Sequence, residues 1–286
     1  MRTNPVRAPR LNLRRRYHAA RGEDRFAVPA QHLTVETEDG ERLAVSRLGS
    51  DRDVAIVLAH ALLGYRTKPP WRRLAEGLAE HATVYATDLR GHGDSSGFCS
   101  GGPLEANDIR AVVARARADG FEKVITVGGS LGAAAVIFEA ASTASADAIC
   151  AISPPSHWVA DTLHLPAADG GVLRRRLMWL FGSPVAQVGA ELAFGTSIAR
   201  EWVGGEPPLA VADRIDLPTL VVHGYDDHLF PLDGVEQFVA HCRGETELWV
   251  IDGFGHCEDG FSSDFCSMLG PRLLALLESR GEDEVA

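Results

Sequence analysis

The chain has 286 residues, 45% of them hydrophobic and 23% charged, which is the composition of a globular protein with a sizeable core. No apolar run approaches the roughly 18 residues that a transmembrane helix needs, so we expect no membrane span. The formal net charge of −11 argues against nucleic acid as the main partner.

The charge is concentrated unevenly along the chain. Residues 1–25 hold eight arginines against Glu23 and Asp24, a charge of +6, which leaves −17 for the rest. We interpret this basic arm as a solvated, disordered tail. Arg14–Arg16 is similar to the start of an export signal, but no apolar run of about seven residues follows, as a secretory signal requires. We therefore do not expect export.

The cysteines indicate a reducing compartment. The five of them form no C-x-x-C pair and no close pairing: Cys99, Cys150, Cys242, Cys257 and Cys266. This usage favours reduced thiols in a cytoplasmic protein over a disulfide framework or a zinc site.

After the arm, the residues from His32 to Leu48 predict a β-hairpin at one edge of a sheet. Apolar and polar residues alternate on both sides of Asp39-Gly40, a dipeptide that favours a tight turn.

Short apolar runs then predict strands buried on both faces, and helical patterns lie between them. The runs are Val54–Ala59, Thr83–Thr87, Val124–Val127, Ala148–Ile152, Thr219–Val222 and Glu247–Ile251. This alternation predicts an α/β domain over residues 26–286, with a mostly parallel sheet of about eight strands covered by helices on both faces.

One interval interrupts the alternation. From Ser156 to Asp213, 58 residues pass without a convincing core strand, too many for a simple crossover loop. The segments VLRRRLMWLF and PVAQVGAELAF predict two helices, so we interpret residues 156–213 as a short helical lid inserted over the sheet. Apolar lid residues such as Trp158 and Trp179 suit a hydrophobic acyl substrate, although most would simply seat the lid on the core.

Ser130 is the candidate nucleophile. The stretch VITVGGSLGAAAVIF begins like a buried strand and ends like a small-residue helix, with Ser130 at the turn. Such a turn lies at the carboxyl edge of the sheet, where open α/β folds bind ligands. Gly128 and Gly132 would let strand and helix approach closely, and the N–H of Leu131 would face an oxyanion. A polar residue in a glycine-rich loop is the alternative, because G-x-S-x-G alone is a weak pattern.

A nucleophilic serine needs a base and an acid that orients it. His256 follows a predicted strand and Gly-Phe-Gly, which places it at the same sheet edge. Asp226 and Asp227 follow another strand at that edge. Because neighbouring side chains alternate in direction, only one of the two can face the histidine.

The order Ser130, Asp227, His256, each after a strand, resembles the α/β-hydrolase superfamily of the esterase and lipase type. LAHALLG resembles that family's His-Gly loop beside the oxyanion hole, and DLRGHGDSSG resembles the loop after the next strand. HGYDDHLFP resembles the acid loop, whose aspartate stands three residues after glycine and four before proline, which selects Asp227. GFGH resembles the loop of the terminal histidine.

The resemblance also implies an oxyanion hole made by the backbone N–H groups of Leu131 and Leu62. The chain departs from the family at one position, where Ala61 stands in place of the usual glycine. The methyl group of Ala61 disfavours a positive φ there. The geometry of the Leu62 donor therefore depends on whether this loop needs such a φ.

By this resemblance the protein is expected to cleave carboxylic esters. Ser130 attacks the acyl carbonyl, His256 takes its proton, Asp227 holds the imidazole, and water releases the acyl group, with no metal or organic cofactor. The same triad would serve a serine aminopeptidase, a thioesterase or an acyltransferase. An aminopeptidase needs an acid for the substrate's amine, and the candidates are Asp161, Asp169, Glu191 and Glu201. A third possible function, besides an ester hydrolase and these other serine enzymes, is a non-catalytic binding protein on the same fold.

Overall fold

The computed structural model describes residues 12–49, 53–157, 183–199 and 206–278. Eight strands form one sheet: β1 Ala30–Glu36, β2 Arg42–Leu48, β3 Val54–Ala59, β4 Thr83–Thr87, β5 Lys123–Gly129, β6 Ala148–Ile152, β7 Thr219–Gly224 and β8 Thr246–Ile251. Their spatial order is β1-β2-β4-β3-β5-β6-β7-β8. Strands β3 to β8 run parallel to their neighbours, and β2 is antiparallel to both β1 and β4. The predicted mostly parallel sheet with a hairpin at one edge is confirmed.

The helices of the described residues lie on both faces of this sheet. They are α1 Leu13–Ala20, α2 Pro69–Leu78, α3 Glu105–Ala118, α4 Leu131–Ser142, α5 Pro184–Phe194, α6 Pro208–Val211, α7 Leu232–His241 and α8 Ser263–Ala275. Alternate residues of β3 enter different cores, because side chains in a strand point to opposite faces. Ile56 packs in the core that holds residues of α2 and α8, whereas Val57 packs with residues of α3 and α4.

The basic arm differs from the expected disordered tail where it is described. Asn12 caps α1 by accepting a hydrogen bond from the N–H of Arg15 at 2.7 Å. Its side-chain amide donates to the carbonyl of Phe194 at 2.5 Å, so α1 is docked on the end of α5. Arg15 adds an ion pair to Asp94 at 2.6 Å. Capping and pairing thus order residues 12–20, and the domain boundary at residue 25 stays a prediction.

Part of the predicted lid lies in the described residues. The segment PVAQVGAELAF is helix α5, started by Ser183 and ended by Gly195 at φ 68°. The other predicted lid helix, VLRRRLMWLF, lies outside the described residues, as do Trp158, Trp179, Asp161, Asp169 and Glu201. Among the helices that are described, none is both long and apolar enough to cross a membrane.

Candidate active site

Ser130 stands at a strained turn between β5 and α4. Its backbone has φ 51° and ψ −106°, a conformation that side-chain-bearing residues rarely adopt. The N–H of Ser130 donates to the carbonyl of Ile152 at 2.9 Å, which ties the turn to the end of β6. The turn therefore places Ser130 at the carboxyl edge of the sheet.

Gly128 and Gly132 allow backbone segments to approach each other closely around Ser130. A Cβ at Gly128 would overlap the carbonyl of Gly132, and a Cβ at Gly132 would overlap the carbonyl of Ala59. Any side chain would force α4 away from β5 or from the loop after β3. The predicted close approach of strand and helix is therefore present.

Asp227 and His256 are joined across two loops. His256 Nδ1 donates to Asp227 Oδ2 at 2.8 Å. The other carboxylate oxygen, Oδ1, accepts the N–H groups of Leu229 at 2.8 Å and Phe230 at 3.0 Å. The Asp227 side chain is only 1% exposed, and that of His256 is 14% exposed. Asp226, by contrast, is exposed. Only one of the two adjacent aspartates faces the histidine, as expected when neighbouring side chains alternate in direction.

The carboxyl of Asp227 is held in its charged form. Burial acts to raise its pKa, but the hydrogen bond and charge of His256 and the N–H of Phe230 outweigh burial and bring the pKa below its ordinary value. With Nδ1 of His256 occupied by this hydrogen bond, Nε2 is the nitrogen left to act as a base.

The histidine loop contacts the turn that carries Ser130. A Cβ at Gly129 would overlap the Sγ of Cys257, so the residues beside Ser130 and His256 are in contact. The N–H of Cys257 donates to Ser153 Oγ at 2.9 Å, anchoring this loop to the end of β6. Among the hydrogen bonds of the described residues, none joins Ser130 to His256. Such contacts are often long before substrate binds.

The loop after β3 does not require a positive φ at Ala61. The residue with positive φ is Leu63, at 60°, and Ala61 is buried in the core beside α2. The concern that the methyl of Ala61 disturbs the loop is therefore removed, because the strained position lies two residues later. In the described part of the chain the N–H of Leu62 donates to no acceptor.

Leu131 begins helix α4 directly after Ser130. The first N–H groups of a helix have no acceptor within the helix, and they carry its positive dipole end. Leu62 and Leu63 pack against the same apolar cluster that contains Leu131. The two candidate N–H donors therefore belong to adjacent segments, and the side chains around them are apolar.

His60 has a structural role beside the candidate oxyanion loop. Its Nδ1 donates to the carbonyl of Ala61 at 2.8 Å, and its Nε2 accepts the N–H of Leu89 at 3.1 Å. Burial lowers the pKa of His60 to about 4, so the ring is neutral. His60 thus connects the loop after β3 to the loop after β4.

A second neutral histidine lies behind the candidate acid. His223 is fully buried at the end of β7, and its Nε2 donates to the carbonyl of Phe230 at 3.0 Å. Burial lowers its pKa. The same nitrogen is 3.8 Å from Asp227 Oδ2. The contact of His223 with the acid loop depends on how residues 225–230 fold, so the sequence alone did not indicate it.

The loop DLRGHGDSSG is held together by buried charges. Asp88 accepts the N–H groups of Arg66 at 2.6 Å and of Asp94 at 2.9 Å, and it pairs with the Arg66 guanidinium. Arg90 bridges Asp108 and Asp39. These contacts assign the loop a scaffolding role beside the site.

Helix α5, which belongs to the predicted lid, and the segment after it pack against the same apolar cluster. Ala190 and Ile198 are buried in the cluster that contains Leu131. Glu191, one candidate for holding a substrate amine, instead accepts a hydrogen bond from Ser197 at 3.3 Å. Among the described residues, no group of three or more His, Cys, Asp or Glu side chains could hold a metal ion. That the reaction needs no cofactor stays a prediction.

A family model described as alpha/beta hydrolase fold matches residues 54–176. No curated protein sequence matches the chain. Among solved structures, the chain is similar to the esterase Pf2001 of Pyrococcus furiosus, with 21% identity, a TM-score of 0.67, and coverage of 88% of this chain and 93% of that one.

Two other solved structures have similar scores. The esterase RhEst1 of Rhodococcus sp. ECU1013 is 18% identical, with a TM-score of 0.62 and coverage of 86% of this chain and 99% of that one. CarC, a serine hydrolase involved in carbazole degradation, is 18% identical, with a TM-score of 0.62 and coverage of 87% of this chain and 100% of that one. Together with the sheet order, these findings confirm the resemblance inferred from the motifs: the chain has the α/β-hydrolase fold.

Proposed function

We propose that the protein is a serine hydrolase that cleaves carboxylic esters through an acyl-enzyme formed on Ser130. The observation that carries this proposal is the hydrogen bond from His256 to the buried Asp227, at the sheet edge where Ser130 occupies its strained turn. A base oriented by an acid, near a serine on a strained turn, is the arrangement that activates a hydroxyl group.

In the first step Ser130 Oγ attacks the acyl carbonyl while His256 Nε2 takes the hydroxyl proton. Asp227 keeps the proton of His256 on Nδ1 and stabilises the imidazolium that forms. His256 then gives the proton to the leaving alcohol, and in the second half water attacks the acyl-enzyme with His256 again as the base. The lowered pKa of Asp227 keeps this carboxylate charged at neutral pH.

The oxyanion of each tetrahedral intermediate would be bound by the N–H groups of Leu131 and Leu62. The unengaged N–H of Leu62 supports this role, because a donor next to the site without an acceptor is available to substrate. Each such donor is typically worth about 2.7–4 kcal/mol of transition-state stabilisation. Both are backbone groups, so the substitution of the family glycine by Ala61 does not remove either.

The substrate is best described as a small ester with an apolar acyl group. The side chains of Leu62, Leu63 and Leu131 form an apolar surface around the two candidate oxyanion donors. The ring of Phe230 lies 5.6 Å from that of His256. Apolar walls with a few convergent polar groups are typical of a site for a small hydrophobic ligand. The esterases among the solved neighbours support an ester as the bond cleaved. The five free cysteines favour a cytoplasmic location.

A substrate panel tests the reaction class. p-Nitrophenyl esters of graded acyl length are compared with aminoacyl anilides and acyl-CoA thioesters, with the Ser130→Ala variant as the blank for each. We expect turnover of the esters, with kcat/KM rising from acetyl to longer acyl groups. Turnover confined to anilides or to thioesters would reject the ester assignment while leaving a serine mechanism in place.

A further inference from the structure

A largely buried ion pair joins two loops of the candidate active site. Lys68 Nζ lies 2.5 Å from Glu258 Oε1, although the residues are 190 positions apart. The side chains are 9% and 20% exposed. A lysine as buried as Lys68 is uncommon, because its charge must leave water.

The two residues stand at the ends of functionally important segments. Lys68 immediately precedes α2 and closes the loop that starts at His60 and contains Leu62; its N–H donates to the carbonyl of Tyr65 at 2.9 Å. Glu258 lies in the short 3-10 helix Cys257–Gly260, which directly follows His256. The pair therefore connects the candidate oxyanion loop to the candidate base.

Further contacts bring the start of α2 against the same turn. Arg73 Nη1 donates to the carbonyl of Phe261 at 2.7 Å. The ring of Trp71 meets that of Phe261 edge-on at 5.0 Å, and a Cβ at Gly129 would overlap Trp71 as well as Cys257. One end of α2 thus touches both the histidine loop and the turn that carries Ser130.

We propose that Lys68 and Glu258 form a positioning pair that sets the place of His256 relative to Ser130 and the oxyanion loop. The inference rests on the proposed function. Neither residue touches the reacting atoms, and each acts through the loop that it holds. A buried ion pair is a weak source of stability compared with apolar residues of similar size, so a geometric role accounts for it better. The second carboxylate oxygen, Oε2, is buried without a partner among the described residues, which adds to the energetic cost of burying this carboxylate.

The test separates positioning from stability. Removing one partner leaves an unpaired buried charge and destabilises the fold, so the informative variant replaces both residues, Lys68→Met with Glu258→Leu, which keeps an apolar contact. We expect this double variant to keep its melting temperature but to lose about tenfold in kcat with little change in KM, since a misplacement of about 1 Å can cost about 100-fold and a smaller shift costs less. Lys68→Arg keeps the charge and should retain most of kcat.

The matched control is Arg214→Met, which removes an exposed ion pair to Glu206 and should leave kcat unchanged. Full kcat in the stable double variant would overturn the positioning role, because the pair would then serve folding alone. A fall in kcat that simply follows a lower melting temperature would overturn it as well.

A spectroscopic readout keeps this proposal separate from the proposed function. The hydrogen-bonded Nδ1–H of His256 should give a low-field proton resonance that disappears in His256→Gln. If the wild-type protein hydrolyses no ester, the ester proposal fails. The resonance still reports whether the Lys68–Glu258 pair positions His256. Its loss or broadening in the double variant supports positioning, and an unchanged resonance contradicts it.

Discussion

His256 Nδ1 donates a hydrogen bond to Asp227 Oδ2 at 2.8 Å, although the two residues come from loops after different strands, β8 and β7. Asp227 is itself held by the N–H groups of Leu229 and Phe230, so its orientation does not depend on the histidine. The imidazole is therefore presented by a rigid acceptor, as a base that must alternate between two proton partners requires.

This contact predicts a large difference between the two adjacent aspartates. Asp227→Asn should lower kcat by about 10⁴-fold, because the amide favours the wrong tautomer of His256. Asp226→Asn is the matched control, since Asp226 is exposed, and it should stay near wild type. Ester turnover measured for both variants decides the matter, and a larger loss in Asp226→Asn would transfer the role of acid.

The glycines of the Ser130 turn predict a second contrast. Gly132→Ala places a methyl group against the carbonyl of Ala59 and should cost about 1–3 kcal/mol of unfolding free energy together with activity. Gly189→Ala in α5 is the control, because a Cβ there meets nothing within 4 Å. It should stabilise the protein by about 0.5–1 kcal/mol. Urea unfolding measures both, and equal effects would show that the turn is not crowded.

Stability should fall in mildly acidic solution because of His60. Its pKa is lowered to about 4 by burial, whereas in the unfolded chain it is about 6.5. Between these values the unfolded state binds the extra proton, so the unfolding free energy decreases as pH falls through this window. The part due to His60 should reach at most about 3 kcal/mol.

A variant attributes this slope to the residue. His60→Gln should lower the stability at pH 7 but flatten its dependence on pH between about 6.5 and 4. Gly189→Ala, which removes no titratable group, should leave the slope as it is. Denaturant unfolding at several pH values provides the comparison. An unchanged slope in His60→Gln would mean that the acid sensitivity has another source.

The contact of α1 with α5 predicts that the basic arm stabilises α5. Asn12→Ala removes both the cap of α1 and the hydrogen bond to Phe194. It should cost about 1 kcal/mol, with faster hydrogen exchange in α5. Thr37→Ala, which removes a cap-like contact in the β1–β2 hairpin instead, should leave exchange in α5 unchanged. Unaltered exchange in Asn12→Ala would show that the arm does not hold α5.

The core strands could be predicted from the sequence because a strand buried on both faces is a short continuous apolar run. Val54–Ala59, Thr83–Thr87 and Ala148–Ile152 have the observed bounds for this reason. The sequence also predicted that Ser130, Asp227 and His256 lie at one edge of the sheet, because each follows a strand and parallel strands end at the same edge. Their assignment as catalytic residues remains a proposal.

Other features depend on contacts between distant segments. Two contacts join residues more than a hundred positions apart: the Lys68–Glu258 ion pair and the hydrogen bond from Asn12 to Phe194. No local sequence pattern predicts either contact. The positive φ at Leu63 was also invisible, since leucine has no preference for it. The sequence pointed instead to Ala61, where the family pattern differs but the backbone is ordinary.

The most direct test of the account is covalent labelling with a fluorophosphonate, followed by peptide mapping. The reagent reacts with a serine only where a base and an oxyanion hole activate it. Wild type should carry one phosphonyl group on Ser130, and Ser130→Ala should remain unlabelled under the same conditions. Equal labelling of the two proteins, or a label on another residue, would contradict the assignment of Ser130 as the nucleophile.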